Sequence, residues 1–277
     1  MSDILTRILE QKKEEVQALR RRYSRAALLE RAAGQSAVRG FARALANKVE
    51  AGQVAVIAEI KRASPSKGLI RSDFNPAALA QGYEQGGAAG LSVLTDERFF
   101  LGSGEHLQQA RAACALPVLR KEFIVDELQV AEARALGADA VLLIVAALSS
   151  GQLNELAAAA RELHLDVLVE IHDRAELDKV LKIPLPSDSL VGINNRDLRN
   201  FETRLETTLE LLPHIPAGTP VVTESGIAAT ADIQRLRAAG VQRFLIGESL
   251  LRADRPGAAL KELLADETVG RHPHAAV

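Results

Sequence analysis

Apolar and polar positions follow two different periods along this chain. Over residues 1–50, Ile4, Leu5, Ile8, Val16 and Leu19 recur at helical spacing among Lys, Arg and Glu, the pattern of an amphipathic helix. Residues 24–33 and 40–48 predict two further short helices. From Val54 onward the pattern changes. Short, nearly continuous apolar runs alternate with amphipathic segments. Eight runs read as strands: VAVIAEI near 54, GLSVLT near 90, PVLRKEF near 117, DAVLLIV near 139, DVLVEI near 166, LVGINN near 190, PVVTES near 220 and RFLIGE near 243.

The segments between them carry helix punctuation. Asn75 precedes Pro76, an N-cap followed by proline at the first helical position. Asp126 opens another helix, and Asp173 with Glu176 has the spacing of a capping box. Gly137 and Gly240 close helices, where a left-handed residue is favoured. Apolar strands joined by helices predict a parallel sheet covered by helices. Eight such units in about 220 residues predict an α/β fold, a (β/α)8 TIM barrel. An open doubly wound sheet is the other candidate, but no G-x-G-x-x-G follows the first strand. No Pro/Gly-rich linker interrupts the pattern. One domain is expected, with a helical N-terminal extension over 1–50, the barrel over 51–268 and a disordered tail over 269–277.

In such a barrel, chemistry sits at the C-terminal ends of the strands. Polar residues gather there: Glu59 and Lys61 after the first strand, Lys121 on the third, Glu170 on the fifth, Asn194 to Asp197 on the sixth, Glu224 and Ser225 on the seventh, Gly247 and Glu248 on the eighth. Period two places Glu59 and Lys61 on one face. Taken alone, that pair reads equally well as a structural ion pair. Repetition at so many strand ends favours one shared polar pocket, because neither barrel face accepts isolated charges. Gly226 and Gly247 follow strands seven and eight, the quarter of a TIM barrel that often binds phosphate through backbone N–H groups. Tight turns without a ligand are the other reading. Acids and lysines in one cleft shift one another's proton affinities, as acid–base chemistry requires.

Composition narrows the partners. The net charge is −2 and aromatic residues make up 3%, which argues against a nucleic-acid surface. The charged N-terminus lacks the apolar core of a signal peptide, and the longest apolar run (138–148) is too short to span a bilayer. The single cysteine, Cys114, forms no internal disulfide. A cytoplasmic protein without membrane association is expected. His106, His164, His172, His214, His272 and His274 form no metal-like cluster, and no cofactor motif is evident; no metal and no cofactor are expected. His172 follows Glu170 by two, which would put both on one face, but a helix-start or loop role is the expectation. The basic run from Arg20 to Arg25 suits the end of a helix better than a polyanion site.

The runs AEIKRASPSKG, LSVLTDERFFLGS, PVLRKEFIVDELQV, GADAVLLIV, LVEIHD, GINNRDL, VTESGI and FLIGESLL resemble, in order, the signatures of the indole-3-glycerol phosphate synthase family of tryptophan biosynthesis. The resemblance extends from the N-terminal helix to about Leu260. It implies a (β/α)8 carboxy-lyase. This enzyme would convert 1-(2-carboxyphenylamino)-1-deoxyribulose 5-phosphate to indole-3-glycerol phosphate, CO2 and water. It implies Lys121 as the acid that protonates the substrate carbonyl and Glu170 as acid or base in dehydration. Lys61 would engage anionic groups and join proton transfer. Glu59, Asn194, Arg196, Glu224 and Ser225 would position substrate, while Gly226, Gly247 and Glu248 fall in the phosphate loops. Pro65, Phe100, Phe123 and Leu198 would form the apolar wall around the anthranilate ring. Ser64 belongs to the Ser-Pro-Ser loop expected to move over the substrate. An apolar contact from the N-terminal segment is also implied, with Ile4, Leu5 and Ile8 as candidates. One departure matters: the loop reads Gly247-Glu248-Ser249 where some relatives carry Gly-Ser-Ser. The backbone N–H of Glu248, rather than its side chain, is therefore expected to face phosphate. The expected partner is a small phosphorylated, anthranilate-derived substrate, handled by a monomer or a weak homodimer. Another phosphate-binding barrel such as phosphoribosylanthranilate isomerase, or a non-catalytic ligand-binding barrel, shares the phosphate loops. Joint presence of Lys121 and Glu170 favours the lyase.

Overall fold

A computed structural model describes residues 3–186, 189–197 and 201–265. Helices α1 (Asp3–Arg22), α2 (Arg25–Ala33) and α3 (Phe41–Glu50) precede the first strand. The barrel strands are β1 (Ala55–Ile60), β2 (Gly90–Leu94), β3 (Val118–Lys121), β4 (Ala140–Ile144), β5 (Asp166–Ile171), β6 (Leu190–Asn194), β7 (Val221–Glu224) and β8 (Arg243–Ile246). All pair in parallel and close into a barrel, with β1 seated between β8 and β2. Every predicted strand run is therefore a strand. The fourth is shorter than its apolar run, because Val145–Ala147 turns into a 3-10 helix.

Alternation along the strands explains both layers. Val56, Ala58, Val93, Val141, Val169, Ile193 and Phe244 point outward and are buried under the surrounding helices. Ile57, Leu119, Leu142, Leu168, Leu190, Val222 and Leu245 point inward and fill the barrel. Two residues beyond Ile57, Leu119, Leu168 and Val222, the same inward face reaches Glu59, Lys121, Glu170 and Glu224. Period two thus carries an apolar floor directly into a charged rim.

Helix α3 plugs the N-terminal end of the barrel with the fully buried Phe41 and Leu45. It is pinned there by the Ala42 N–H, which donates to Asp166 at 2.8 Å. Outer helices begin as their capping residues predict: Asn75 accepts from the Ala78 N–H at 3.0 Å and Asp126 from that of Leu128 at 3.0 Å. Gly137 and Gly240 have φ of 94° and 98°. The capping box at Asp173 is corrected. Asp173 accepts from the Glu176 N–H at 2.9 Å, but the Glu176 carboxylate takes the N–H of His172, one residue earlier, at 2.8 Å. Arg20, at the end of α1, pairs with Asp126 at 2.6 Å.

Helix α1 lies against the C-terminal end of the barrel, tied by an interaction invisible in its helical pattern. Lys12 is 1% exposed and its Nζ sits 2.7 Å from Asp96 and 2.9 Å from Glu122. Glu122 also accepts from the Thr95 hydroxyl at 2.6 Å. Burial disfavours the ammonium, but the Glu122 and Asp96 carboxylates outweigh it, so Lys12 stays charged. Replacing one partner of such a buried cluster strands the others. Lys12→Met should lower the unfolding free energy by at least about 3 kcal/mol, read from the urea midpoint. An unchanged midpoint would mean that the cluster does not hold α1.

Candidate active site

The charged rim encloses a cavity of about 440 Å³ at the C-terminal ends of the strands. Every predicted site residue within the described part of the chain lines it; Leu198 lies outside the described residues. β1 supplies Glu59, and Lys61 follows it. β3 supplies Lys121, β5 Glu170, β6 Asn194 and β7 Glu224.

Lys121 is the centre of the charge arrangement. Its Nζ lies 2.6 Å from Glu224 Oε2 and 3.1 Å from Glu170 Oε2. Burial works against its charge, yet Glu224, Glu170 and Glu59 outweigh burial and hold it well above an ordinary lysine. The two carboxylates part company. Burial, with repulsion from Glu170 and Glu59, pushes Glu224 up to about 7 against the pull of Lys121. For Glu170 burial acts in the same upward direction, but Lys121 and His172 outweigh it and hold the group far below the usual carboxylate range. Near neutral pH these three groups are therefore one firm cation, one firm anion and one acid poised to exchange a proton.

Glu59 and Lys61 form a close ion pair. The Glu59 carboxylate rests on the backbone at Gly247, where any Cβ would collide with it. Gly192 serves Glu224 in the same way. These glycines make room for the site's own acids, a role beyond the approach to an anion expected of Gly247. Asn194 Oδ1 accepts from the Ser225 hydroxyl at 2.8 Å and from the Arg196 N–H at 3.1 Å. Ser225 and Gly226 both have left-handed φ, at 65° and 83°, which turns the chain sharply at the end of β7.

Arg196 leaves this turn for the rim, donating to Ser66 at 2.7 Å and to Glu248 at 3.2 Å. The Glu248 side chain also faces Lys67 at 3.6 Å and Arg252 at 3.2 Å. Its carboxylate thus gathers three cations at the mouth of the cavity. Ser64 and Ser66, in the loop after β1, lie 3.5 Å apart, and Pro65 lines the cavity between them.

The opposite wall is apolar. Phe100 and Phe123 stand with ring centroids 6.0 Å apart. Ile4, Leu5 and Ile8 of α1 also line the cavity, so the first turns of α1 contribute three apolar residues. Ser66 and Lys67 belong to the loop that the sequence places over the substrate, without a partner assigned to either; Arg252 is the residue that sequence reasoning missed. Arg252 was readable, four residues after Glu248 in a helical run. His172 sits at the helix start, as expected, and its ring also stands 3.4 Å from Glu170 on the shared face that their spacing allows. Among the described residues no group of His, Cys, Asp or Glu is placed to hold a metal ion, and no helix is long and apolar enough to cross a membrane.

Fold and cavity together define a (β/α)8-barrel enzyme whose clustered ionisable groups stand at the carboxyl ends of its strands. The family model of indole-3-glycerol phosphate synthase matches residues 5–263. The chain belongs to that family, and is a carboxy-lyase of tryptophan biosynthesis. It is 55% identical over 265 residues to the indole-3-glycerol phosphate synthase of Bordetella pertussis (strain Tohama I), covering 96% of this chain and 100% of that one. It is 54% identical to that of Leptothrix cholodnii with the same coverage. Among solved structures, 3-hexulose-6-phosphate synthase is similar at a TM-score of 0.57 and 19% identity, over 76% of this chain and 98% of that one. N-acetylmannosamine-6-phosphate 2-epimerase from Clostridium perfringens is similar at 0.56 and 14%, over 76% and 93%. These last two share the fold alone.

Proposed function

We propose that the chain closes the indole ring of 1-(2-carboxyphenylamino)-1-deoxyribulose 5-phosphate, releasing indole-3-glycerol phosphate, CO2 and water. The observation that carries this reading is Lys121, held charged between Glu170 and Glu224 beside the Phe100–Phe123 wall. A ring against that wall faces an ammonium. As the carboxylate-bearing ring carbon attacks the sugar-chain carbonyl, the new C–C bond forms and the carbonyl oxygen takes a proton from Lys121. The bond to the carboxylate then breaks. CO2 departs, and the electron pair restores the aromatic ring. In dehydration the hydroxyl leaves as water with a proton from Lys61, and Glu170 accepts a proton from the adjacent carbon.

Timing follows from electrostatics. While Lys121 is charged, Glu170 has little affinity for a proton. Once Lys121 has given its proton to the carbonyl, the chief counter-charge is gone and Glu170 becomes a stronger base. Glu59, Asn194, Arg196, Glu224 and Ser225 position the substrate, and the loops at Gly226 and Gly247 receive its phosphate. The whole chain is proposed to act as one domain, in the cytoplasm and as a monomer. The test is turnover of the carboxyphenylamino substrate followed by indole fluorescence. The chain contains no Trp, so the background is low. A folded sample without turnover overturns the reading.

A further inference from the structure

His172 stands between two acids. Its Nδ1 lies 3.1 Å from Glu176 Oε2, and that same oxygen accepts the His172 backbone N–H at 2.8 Å. With this geometry Nδ1 donates to Glu176. Its Nε2 faces Glu170 Oε1 at 3.4 Å, a charge contact rather than an aligned hydrogen bond. A neutral ring protonated at Nδ1 would turn a lone pair toward that carboxylate, which is repulsive. A second proton on Nε2 removes the conflict. The ring is 12% exposed and Glu170 3%, so little water screens the contact.

We propose that His172 is a positioning residue for Glu170: an imidazolium, anchored by Glu176, that fixes one carboxylate oxygen and leaves the other facing Lys121 and the cavity. The proposal rests on the reading of Glu170 as the base of dehydration. The charged groups facing His172 are Glu170 on β5 and Glu176 on the helix Arg174–Val180, with Lys121 of β3 beyond Glu170. Burial would lower the affinity of the ring for its second proton, but Glu170 and Glu176 outweigh it and raise it to about 10. The ring therefore keeps its charge at neutral pH.

His172→Gln removes that charge. Glu170 then binds protons more readily, so less of it is ionised at a given acidic pH. The acid limb of the kcat profile should move up by about one pH unit. The plateau should fall about tenfold, with KM little changed. Glu176→Gln, which keeps the imidazole but loosens its anchor, should move the limb in the same direction by less. A stability loss with an unmoved limb would mean a purely structural role and overturn the proposal. Nitrogen NMR of the wild-type protein at pH 8 decides independently of turnover. Two protonated ring nitrogens on His172 support the proposal even if the lyase reading fails. A neutral tautomer overturns it.

Discussion

Lys121→Ala should lower kcat by about three orders of magnitude while indole-3-glycerol phosphate still binds. The ammonium is the only group held 2.6 Å from Glu224 and 3.1 Å from Glu170 among the described residues, so its loss does more than delete a proton donor. Two buried carboxylates then face each other without their cation. Both take up protons more readily, and Glu224, already raised to about 7, becomes an uncharged acid across the neutral range. Lys61, held by Glu59 on β1, keeps its own place in the pocket and leaves the position between Glu170 and Glu224 empty. Steady-state turnover and product titration by fluorescence, on a sample whose circular dichroism matches the parent, check this. A rate within tenfold of the parent would place the acid elsewhere.

Glu170→Gln should also reduce kcat, by about two to three orders of magnitude, but at a later step. The amide keeps the shape and still accepts from Lys121, so ring closure and decarboxylation proceed while dehydration stalls. In a single turnover, CO2 should appear well before indole fluorescence. Simultaneous appearance at the parental rate would exclude Glu170 as the base. The two variants thus separate the two halves of the chemistry, and together they test the division of labour between one lysine and one glutamate.

How much of this was legible before any coordinates depended on range. The strands were readable because a parallel barrel buries both faces, leaving runs such as Val56–Ile60 nearly free of polar residues. The polar rim was readable for the same reason: Glu59 and Lys121 are anomalies in apolar strands. What the chain could not announce was who meets whom. Lys121 pairs with Glu170 and Glu224 because closure brings β3, β5 and β7 to face one another, and that is a property of the whole barrel. Lys12 was indistinguishable from Lys13 beside it, since both sit on a helix rich in charge. Only the docked structure shows one of them buried on Asp96 and Glu122. His172 was read as part of a helix start, which it is. Its ring also stands beside Glu170, a contact that the spacing of two allows but does not decide.

The tie between Lys12 and the barrel sets an order of events in folding. The first residues of the chain are synthesised long before Asp96 and Glu122 exist. Until then Lys12 has only Glu15, three residues away, as a close partner. Docking of α1 needs β2 and β3 to be in place, and only docking brings Ile4, Leu5 and Ile8 to the cavity. A barrel can therefore hold most of its secondary structure and still lack one wall of its pocket. Such non-local contacts form late. In refolding, activity should trail the recovery of circular dichroism, so that catalysis reports the arrival of the chain's own beginning.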